Sequence, residues 1–154
     1  MEWTNTPPNL IRQAIREQKL IAPTSGMAKG YIQANVVILP QTYAYDFLLF
    51  CQRNPKTCPL LDVSDVGKPS FPKYAPQGDI RNEVGLYFVY KRGKLVEKPY
   101  DISDLYDEKM VSFLIGCSFT FEHAMLEAGL PVRHIEENHN VPMYITNIPT
   151  LPAG

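Results

Sequence analysis

The feature that most constrains the fold of this chain is a run of four aliphatic residues that ends at a proline. Residues 36–39 are Val, Val, Ile and Leu, and Pro40 follows them. A continuous apolar run of this length is typical of a strand whose two faces are both covered. We therefore predict that residues 31–40 contain a central strand of a sheet with helices packed against it.

Helical periodicity appears on both sides of that strand. Before it, a Thr-Pro-Pro sequence at residues 6–8 predicts a helix start, and NLIRQAIREQKL repeats its apolar residues with helical spacing. After it, YAYDFLLFCQRN predicts a helix that stops near Asn54, because the proline that follows disfavours helical geometry in the residue before it. PLLDV is the next strand candidate. Residues 64–78 are predicted to be a loop or lid, because Pro and Gly interrupt every period there.

The second half of the chain predicts a hairpin, a helix and several short strands. LYFVYKRGKLVEKPYD alternates on both sides of Arg92 and Gly93, which indicates a β-hairpin. KMVSFLIG fits a buried strand or a helix equally well by its period. FEHAMLEA predicts a helix that Ser118 or Thr120 can cap and that ends at Gly129. VRHI and MYITNI are interpreted as short strands around a polar loop.

These elements predict an α/β fold, with a mixed sheet core flanked by helices and a smaller α+β lobe that contains the β-hairpin. We expect one compact unit in which residues 1–84 form the first part of the core, 85–108 form the small lobe, and 109–154 return to the core with a polar hairpin. With 154 residues, of which 45% are hydrophobic, the chain can bury one ordinary core. A ligand is expected in the cleft between the lobes.

Composition argues against several classes of partner. The 15 basic residues nearly balance the 16 acidic ones, so no electrostatic footprint for a nucleic acid is present. The apolar runs fall far short of the roughly 20 residues that cross a bilayer, and the first residues do not resemble a secretory signal, so a cytoplasmic protein is expected. The three cysteines do not have the spacing of a zinc site and are interpreted as free thiols. No cofactor fingerprint is found, so neither a cofactor nor a metal is expected.

A first set of candidate binding residues surrounds the predicted central strand. A Gly-containing turn could offer hydroxyl and N–H groups to an anion, or it could be an ordinary turn. Two amides that alternate on one strand face either brace a loop or bind a substrate, since an unpaired buried amide costs about 1–3 kcal/mol. An arginine at the end of the second helix could bind a carboxylate or only stabilise the helix dipole. These residues are Thr24, Ser25, Gly26, Gln33, Asn35 and Arg53.

The densest polar segment is residues 116–147. Cys117 and Ser118 are expected at a helix N-terminus, where the dipole lowers a thiol pKa and free N–H groups attract a carboxylate. Cys117 is therefore a candidate nucleophile, or else a buried bystander. Glu122, one turn inside the same helix, could act as an acid or a base.

The end of this segment supplies a predicted pair for proton transfer. Arg133 and His134 are expected on opposite faces of a short strand, with Glu136 on the face of His134. Such a pair could transfer protons or bind a metal. The spacing of His134 and His139 does not match the motif of a zinc protease. Further residues that could orient a ligand, or only cap the backbone, are Asn140, Tyr144 and Asn147.

Five separate stretches of this chain resemble a known family. They are LIAPTSGMAKGYIQANVVILP, DFLLFCQRNPKTCPLLDV, DIR at residues 79–81, FLIGCSFTFEHAMLEAG and VRHIEENHNVPMYITNI. Together they resemble the family of hydro-lyases and D-glutamate cyclases. The resemblance implies a lyase that removes water, with D-glutamate closing to 5-oxo-D-proline in characterised relatives. The family pattern continues beyond residues 152–154, so we expect an N-terminal part of a longer protein, and an inactive truncated member is one alternative.

The cyclisation that the resemblance implies needs three roles. Arg53 or Arg133 would clamp the substrate carboxylate in a two-point fork. His134, with Glu136 or Glu137, would take the ammonium proton, while N–H groups near Cys117 and Ser118, helped by Ser25, would stabilise the oxyanion.

This hypothesis requires the turn at residues 24–26 and the polar segment after Gly129 to line one pocket for a small carboxylate. A lyase acting on a hydroxy acid and a non-catalytic module that binds a small carboxylate metabolite remain as alternatives. A homo-oligomer is compatible with either.

Overall fold

The computed structural model describes residues 3–139 and 145–154. Its helices and strands follow one another in mixed order, which confirms the α/β fold class. The longest described helix has 13 residues, and in the described ranges no helix is long and apolar enough to cross a membrane. The elements are α1 (Pro8–Arg16), β1 (Ala34–Pro40), α2 (Gln41–Arg53), β2 (Leu60–Val63), β3 (Val89–Lys91), β4 (Lys94–Glu97), β5 (Met110–Gly116), α3 (Phe119–Glu127) and α4 (Arg133–Glu136).

The main sheet has three described strands in the order β1-β5-β2, so the central strand is β5 and not β1. β1 pairs with β5 from Ala34 opposite Gly116 to Pro40 opposite Met110, and β2 pairs with the other edge of β5. Both pairings are antiparallel, so the parallel pairing that a mixed sheet would need is not among the described strands. The prediction of a central strand at residues 31–40 is wrong because an apolar run indicates burial but does not say which strand has two neighbours.

The two faces of β5 are covered by different parts of the chain. On one face, Phe113 packs edge-to-face on Phe47 of α2, with ring centroids 4.9 Å apart. On the other face, Leu114 packs with Phe71 and Ile80 from the loop after β2. The Pro- and Gly-rich loop predicted at residues 64–78 therefore exists, and its Phe71 side chain is part of the core.

The first helix packs against loops. Ile11, Ala14 and Ile15 form its buried stripe, against Leu20 and Met27. A carboxylate also holds this helix in place. The buried Glu83 forms ion pairs with Arg12 at 3.3 Å and with Arg16 at 3.0 Å. The same carboxylate accepts the backbone N–H of Asp79 at 3.1 Å. α1 is thus attached to the 79–83 loop by charge as well as by apolar packing.

The predicted hairpin is confirmed as β3 and β4. Its two-residue turn has positive φ at both positions, 51° at Arg92 and 74° at Gly93, which is the geometry of a type I′ turn. All four residues of β4 are exposed. That this hairpin belongs to a separate lobe with bounds at residues 85 and 108 stays a prediction.

The segment after β5 confirms one element and corrects two. α3 ends in a Schellman motif, because Gly129 has a φ of 75° and the N–H of Leu130 donates to the carbonyl of Met125 at 2.9 Å. VRHI was predicted to be a strand, but its residues Arg133–Glu136 form the short helix α4. A segment of four residues is too short for its pattern of apolar and polar residues to distinguish a strand from a helix. Of MYITNI, residues 143 and 144 lie outside the described residues, and residues 145–148 are not a strand.

Candidate functional site

The turn at Gly129 folds α4 back beside α3 and places a carboxylate next to an imidazole. Glu122 Oε2 of α3 lies 3.3 Å from His134 Nε2 of α4. The side chains are only 8% and 9% exposed, respectively. The separation is that of an ion pair, but its direction is not that of a hydrogen bond, and Nε2 has no hydrogen-bond partner among the described residues. A buried acid–base pair therefore forms between two consecutive helices.

A hydroxyl fixes the other oxygen of that carboxylate. Ser118 Oγ donates to Glu122 Oε1 at 2.6 Å. Ser118 is the N-cap residue of α3, but its side chain makes no cap hydrogen bond, so the predicted capping by Ser118 is wrong. The hydroxyl instead hydrogen-bonds to Glu122, one turn later in the helix. Ser118, Glu122 and His134 form a connected set that we name the Ser-Glu-His group.

Cys117 lies beside this group but does not have the predicted thiolate character. Burial raises the pKa of the Cys117 thiol, and the N–H groups of Phe119 and Thr120 lower it by less. Its Sγ donates to the carbonyl of Gln33 at 3.5 Å. The expected dipole-lowered pKa is therefore wrong, because desolvation outweighs the helix N-terminus. All three cysteines are free, as predicted.

The turn at residues 24–26 lies next to α3, and Gln33 connects the two. Thr24 Oγ1 donates to Gln33 Oε1 at 2.8 Å, and Gln33 Nε2 donates to the carbonyl of Met27 at 3.1 Å. The backbone N–H of Gln33 donates to Thr120 Oγ1 at 3.2 Å. The Gln33 amide thus braces its own turn, which is the structural alternative of the two that the sequence left open. Ser25 of this turn is half-buried and Gly26 is exposed.

The predicted pairing of His134 with Glu136 or Glu137 is wrong. In a strand, residues two apart share a face, but in α4 each residue is turned by about 100° from the last. His134 is therefore buried while Glu136 and Glu137 are exposed. Arg133 is 86% exposed along its side chain and pairs with Glu137 at 2.8 Å on the surface. Arg133 and His134 therefore do not lie on opposite faces of a strand. They lie in a helix, and His134 is the residue of that helix that is buried.

The remaining predicted residues lie in other parts of the chain. Arg53 Nη1 donates to the carbonyl of Pro152 at 2.5 Å, so it holds the C-terminal segment. Asn35 is exposed on β1, opposite Ile115, and Asn147 is also exposed. The two other predicted ligand-orienting residues, Asn140 and Tyr144, lie outside the described residues.

Sequence reasoning missed a second polar cluster, which surrounds the DIR motif. Arg81 binds Asp79 with both Nε and Nη2, and Asp79 shares its loop with the buried Glu83. Burial alone would raise the pKa of Asp79, but the hydrogen bonds from Arg81 lower it overall. Only the spacing of two acids and one arginine in residues 79–83 could have indicated the cluster.

A cavity of about 300 Å³ lies away from the Ser-Glu-His group, between β2 and the loop that follows it. None of the predicted site residues lines it. In the ranges that the structure describes, no three His, Cys, Asp or Glu residues are grouped to hold a metal ion. The predicted catalytic residues Cys117, Glu122, His134, Glu136 and Glu137 lie instead in or beside α3 and α4.

Comparison with known proteins supports a family for this chain. A family model described as D-glutamate cyclase matches residues 111–154, a range that includes the whole Ser-Glu-His group. A protein of Staphylococcus haemolyticus is 66% identical over all 154 residues, and one of Psychrobacter arcticus is 54% identical over the same length. A protein of Staphylococcus carnosus is 65% identical over 150 residues. Each of these three proteins is named "Putative hydro-lyase".

These relatives are longer than the chain. It spans 59% of the Staphylococcus haemolyticus and Psychrobacter arcticus proteins and 57% of the Staphylococcus carnosus protein. Their identity to it nevertheless extends over all or nearly all of its residues. The chain is thus similar over all or nearly all of its length to proteins named as hydro-lyases, and over residues 111–154 to the D-glutamate cyclase family.

Proposed function

We propose that the chain carries part of the active site of a lyase that eliminates water from a small amino or hydroxy acid, with D-glutamate closing to 5-oxo-D-proline as the favoured reaction. The observation that carries the proposal is the buried contact between Glu122 and His134. Ionisable side chains are rarely buried to this degree without a function or a partner. The names of the relatives support the reaction class, and the residues support its acid–base chemistry.

Cyclisation of glutamate is a reaction of proton transfer. The amine nitrogen attacks the γ-carboxyl carbon, a C–N bond forms, and a C–O bond breaks as water leaves. The ammonium group loses two protons, and the departing oxygen needs two. A single residue that accepts a proton and returns it can therefore serve both halves of the reaction.

His134 suits that role because it is the imidazole that lies buried against the Glu122 carboxylate. A neutral imidazole can take a proton from the ammonium group and give one to the leaving hydroxyl. The Glu122 carboxylate, 3.3 Å away, would stabilise the imidazolium that forms in between. Ser118 would act as a positioning residue, because its hydroxyl holds the other carboxylate oxygen.

The substrate carboxylate needs a cation. Arg133 is the predicted residue closest in sequence to His134, and its present partner Glu137 holds it only through an exposed ion pair. Exposed pairs contribute about 0–1 kcal/mol, so a substrate carboxylate can replace Glu137 at little cost. We keep Arg133 as the candidate clamp, whereas Arg53 is occupied by Pro152.

The test is turnover of D-glutamate by a family-length protein that carries these residues, followed by the loss of one water in the mass of the product. His134→Ala should abolish turnover, and Glu122→Gln should lower it by at least tenfold while the protein stays folded. The matched control is His123→Ala, since His123 lies on the same helix but pairs with the surface residue Glu127. Unchanged turnover of the His134 variant would exclude the mechanism.

The alternative is a module that binds a small carboxylate without converting it. It would use the same carboxylate clamp but would need no proton transfer. Equilibrium binding of D-glutamate and 5-oxo-D-proline, measured beside turnover, separates the two. A screen of small amino and hydroxy acids by mass change would identify a different substrate of the same chemistry.

A further inference from the structure

Two of the three thiols of the chain lie together at the end of α2. Cys51 is in the last turn of that helix and is only 1% exposed. Cys58 is partly buried and packs against the apolar cluster that contains Cys51 and Phe113. The third thiol, Cys117, donates instead to the carbonyl of Gln33. We name the first two residues the Cys51–Cys58 pair.

The thiols of the Cys51–Cys58 pair interact directly. Burial raises the pKa of the Cys51 thiol, and the Cys58 thiol raises that pKa further through its charge and through a hydrogen bond between the two groups. Thiols are weak donors and acceptors, so a hydrogen bond between them requires neighbouring sulfur atoms. Both residues are free cysteines. The pair is therefore a reduced dithiol whose sulfur atoms are already neighbours in the folded chain.

The backbone between the two cysteines forms a tight turn. The helix ends at Asn54, whose φ of -126° and ψ of 56° lie outside the helical region, so the chain changes direction there. The carbonyl of Asn54 accepts the N–H groups of Thr57 at 3.1 Å and of Cys58 at 2.9 Å. These hydrogen bonds bring Cys58 back toward the end of the helix, where Cys51 lies.

Two further contacts hold this turn in place. The Asn54 side chain binds both backbone groups of Leu151, because its Nδ2 donates to the carbonyl at 2.9 Å and its Oδ1 accepts the N–H at 2.8 Å. Pro59, directly after Cys58, accepts the N–H of Gly116 at 2.8 Å. Folding has therefore already removed the entropy that would oppose bringing the two thiols together, which favours a reaction between them.

We propose that the Cys51–Cys58 pair is a site of oxidation, which a hydroperoxide converts to an internal disulfide while the chain stays folded. Cys58 reacts first, because it is the more exposed of the two. Its sulfur attacks the peroxide, an S–O bond forms as the O–O bond breaks, and with hydrogen peroxide the products are a sulfenic acid and water.

The second step closes the disulfide. The Cys51 sulfur attacks the Cys58 sulfur, the S–S bond forms, and the S–O bond breaks as a second water leaves with the proton of Cys51. The two thiols lose two protons and two electrons in all, and the peroxide is reduced to two waters. The burial of Cys51 suits this order, since a buried thiol is protected from the peroxide and reacts with the sulfur beside it.

The test is a count of free thiols after oxidation of the folded chain. The chain is treated with hydrogen peroxide for the time that fully oxidises free cysteine, then unfolded in iodoacetamide and analysed by mass spectrometry. The oxidised chain should carry one label, where the untreated chain carries three. Before labelling it should be lighter by about 2 Da, the two hydrogens lost on forming the S–S bond. Its circular dichroism should match that of the reduced chain.

A peptide map identifies the thiols that take part. Trypsin cleaves after Arg53 and Lys56, so the disulfide should join two fragments, one with Cys51 and one with Cys58. Cys117→Ser should still form this disulfide, whereas Cys58→Ser should lose it and leave Cys51 free for labelling after unfolding. If Cys58→Ser does not fold, the map of the parent chain decides the question.

Three results would overturn the proposal. They are a chain in which all three cysteines remain free to be labelled, a disulfide that joins Cys58 to Cys117 or to a second chain, and oxidation that ends at a sulfinic acid without the loss of two hydrogens. Turnover enters none of these measurements. This proposal and the proposed function therefore fail separately.

Discussion

Replacing Glu83 by glutamine should loosen the first helix, and the structure allows the cost to be estimated. The Glu83 side chain is 5% exposed and receives Arg12 at 3.3 Å and Arg16 at 3.0 Å. Glutamine keeps the volume and one acceptor for the Asp79 N–H, but it removes the charge that both arginines face. Removing one partner of a buried ion pair typically costs 3–5 kcal/mol.

The expected cost for Glu83→Gln is lower than that, because the arginines are partly in water. The Arg16 side chain is 51% exposed and that of Arg12 is 22% exposed. Solvent screens such charges, so we expect a loss of about 2 kcal/mol in the free energy of unfolding. In a chain of this size that corresponds to a fall of about 4–8 °C in melting temperature.

Urea and thermal unfolding would measure this change, and hydrogen exchange would localise it. The amides of α1 should exchange faster in Glu83→Gln, since the charge cluster attaches that helix to the 79–83 loop. Glu17→Gln is the matched control, because Glu17 pairs with Lys19 in an exposed position near the end of the same helix. A change for Glu83→Gln below about 0.5 kcal/mol, as for an ordinary surface substitution, would refute the reasoning.

Three further predictions concern single groups. Cys117 should react with iodoacetamide more slowly than free cysteine at pH 8, because burial raises its pKa; reaction at the rate of free cysteine would contradict this. Arg81→Met should destabilise the chain at neutral pH, and the difference should shrink as pH falls below 3.8, because the lowered pKa of Asp79 contributes stability that is present above the unfolded value and lost on acidification. A pH-independent difference in urea titrations would oppose that assignment. Arg92→Asn should raise the free energy of unfolding by about 0.5 kcal/mol, since Asn adopts a positive φ more readily than Arg; a loss of stability would contradict the turn assignment.

The sequence predicted most of the local structure correctly, where local signals are strong. The proline after Asn54 and the glycine at residue 129 mark two helix ends, and Arg92 with Gly93 marks the hairpin. The position of β5 between β1 and β2 could not be predicted, because its apolar run resembles that of β1. Strand order depends on which segments far apart in the sequence pair with each other. The spacing of apolar residues within one segment does not contain this information.

The same limit explains why His134 was predicted with the wrong partner. His134 was selected for its chemistry, but its partner was sought two residues away, as a strand would require. In the structure the partner is Glu122, twelve residues earlier, because Gly129 reverses the chain and α4 continues as a helix. A local sequence pattern indicates which residue types are present, whereas the turn at Gly129 determines which side chains come into contact. Glu122 and His134 approach each other only because α3 presents its carboxylate on the side where α4 returns.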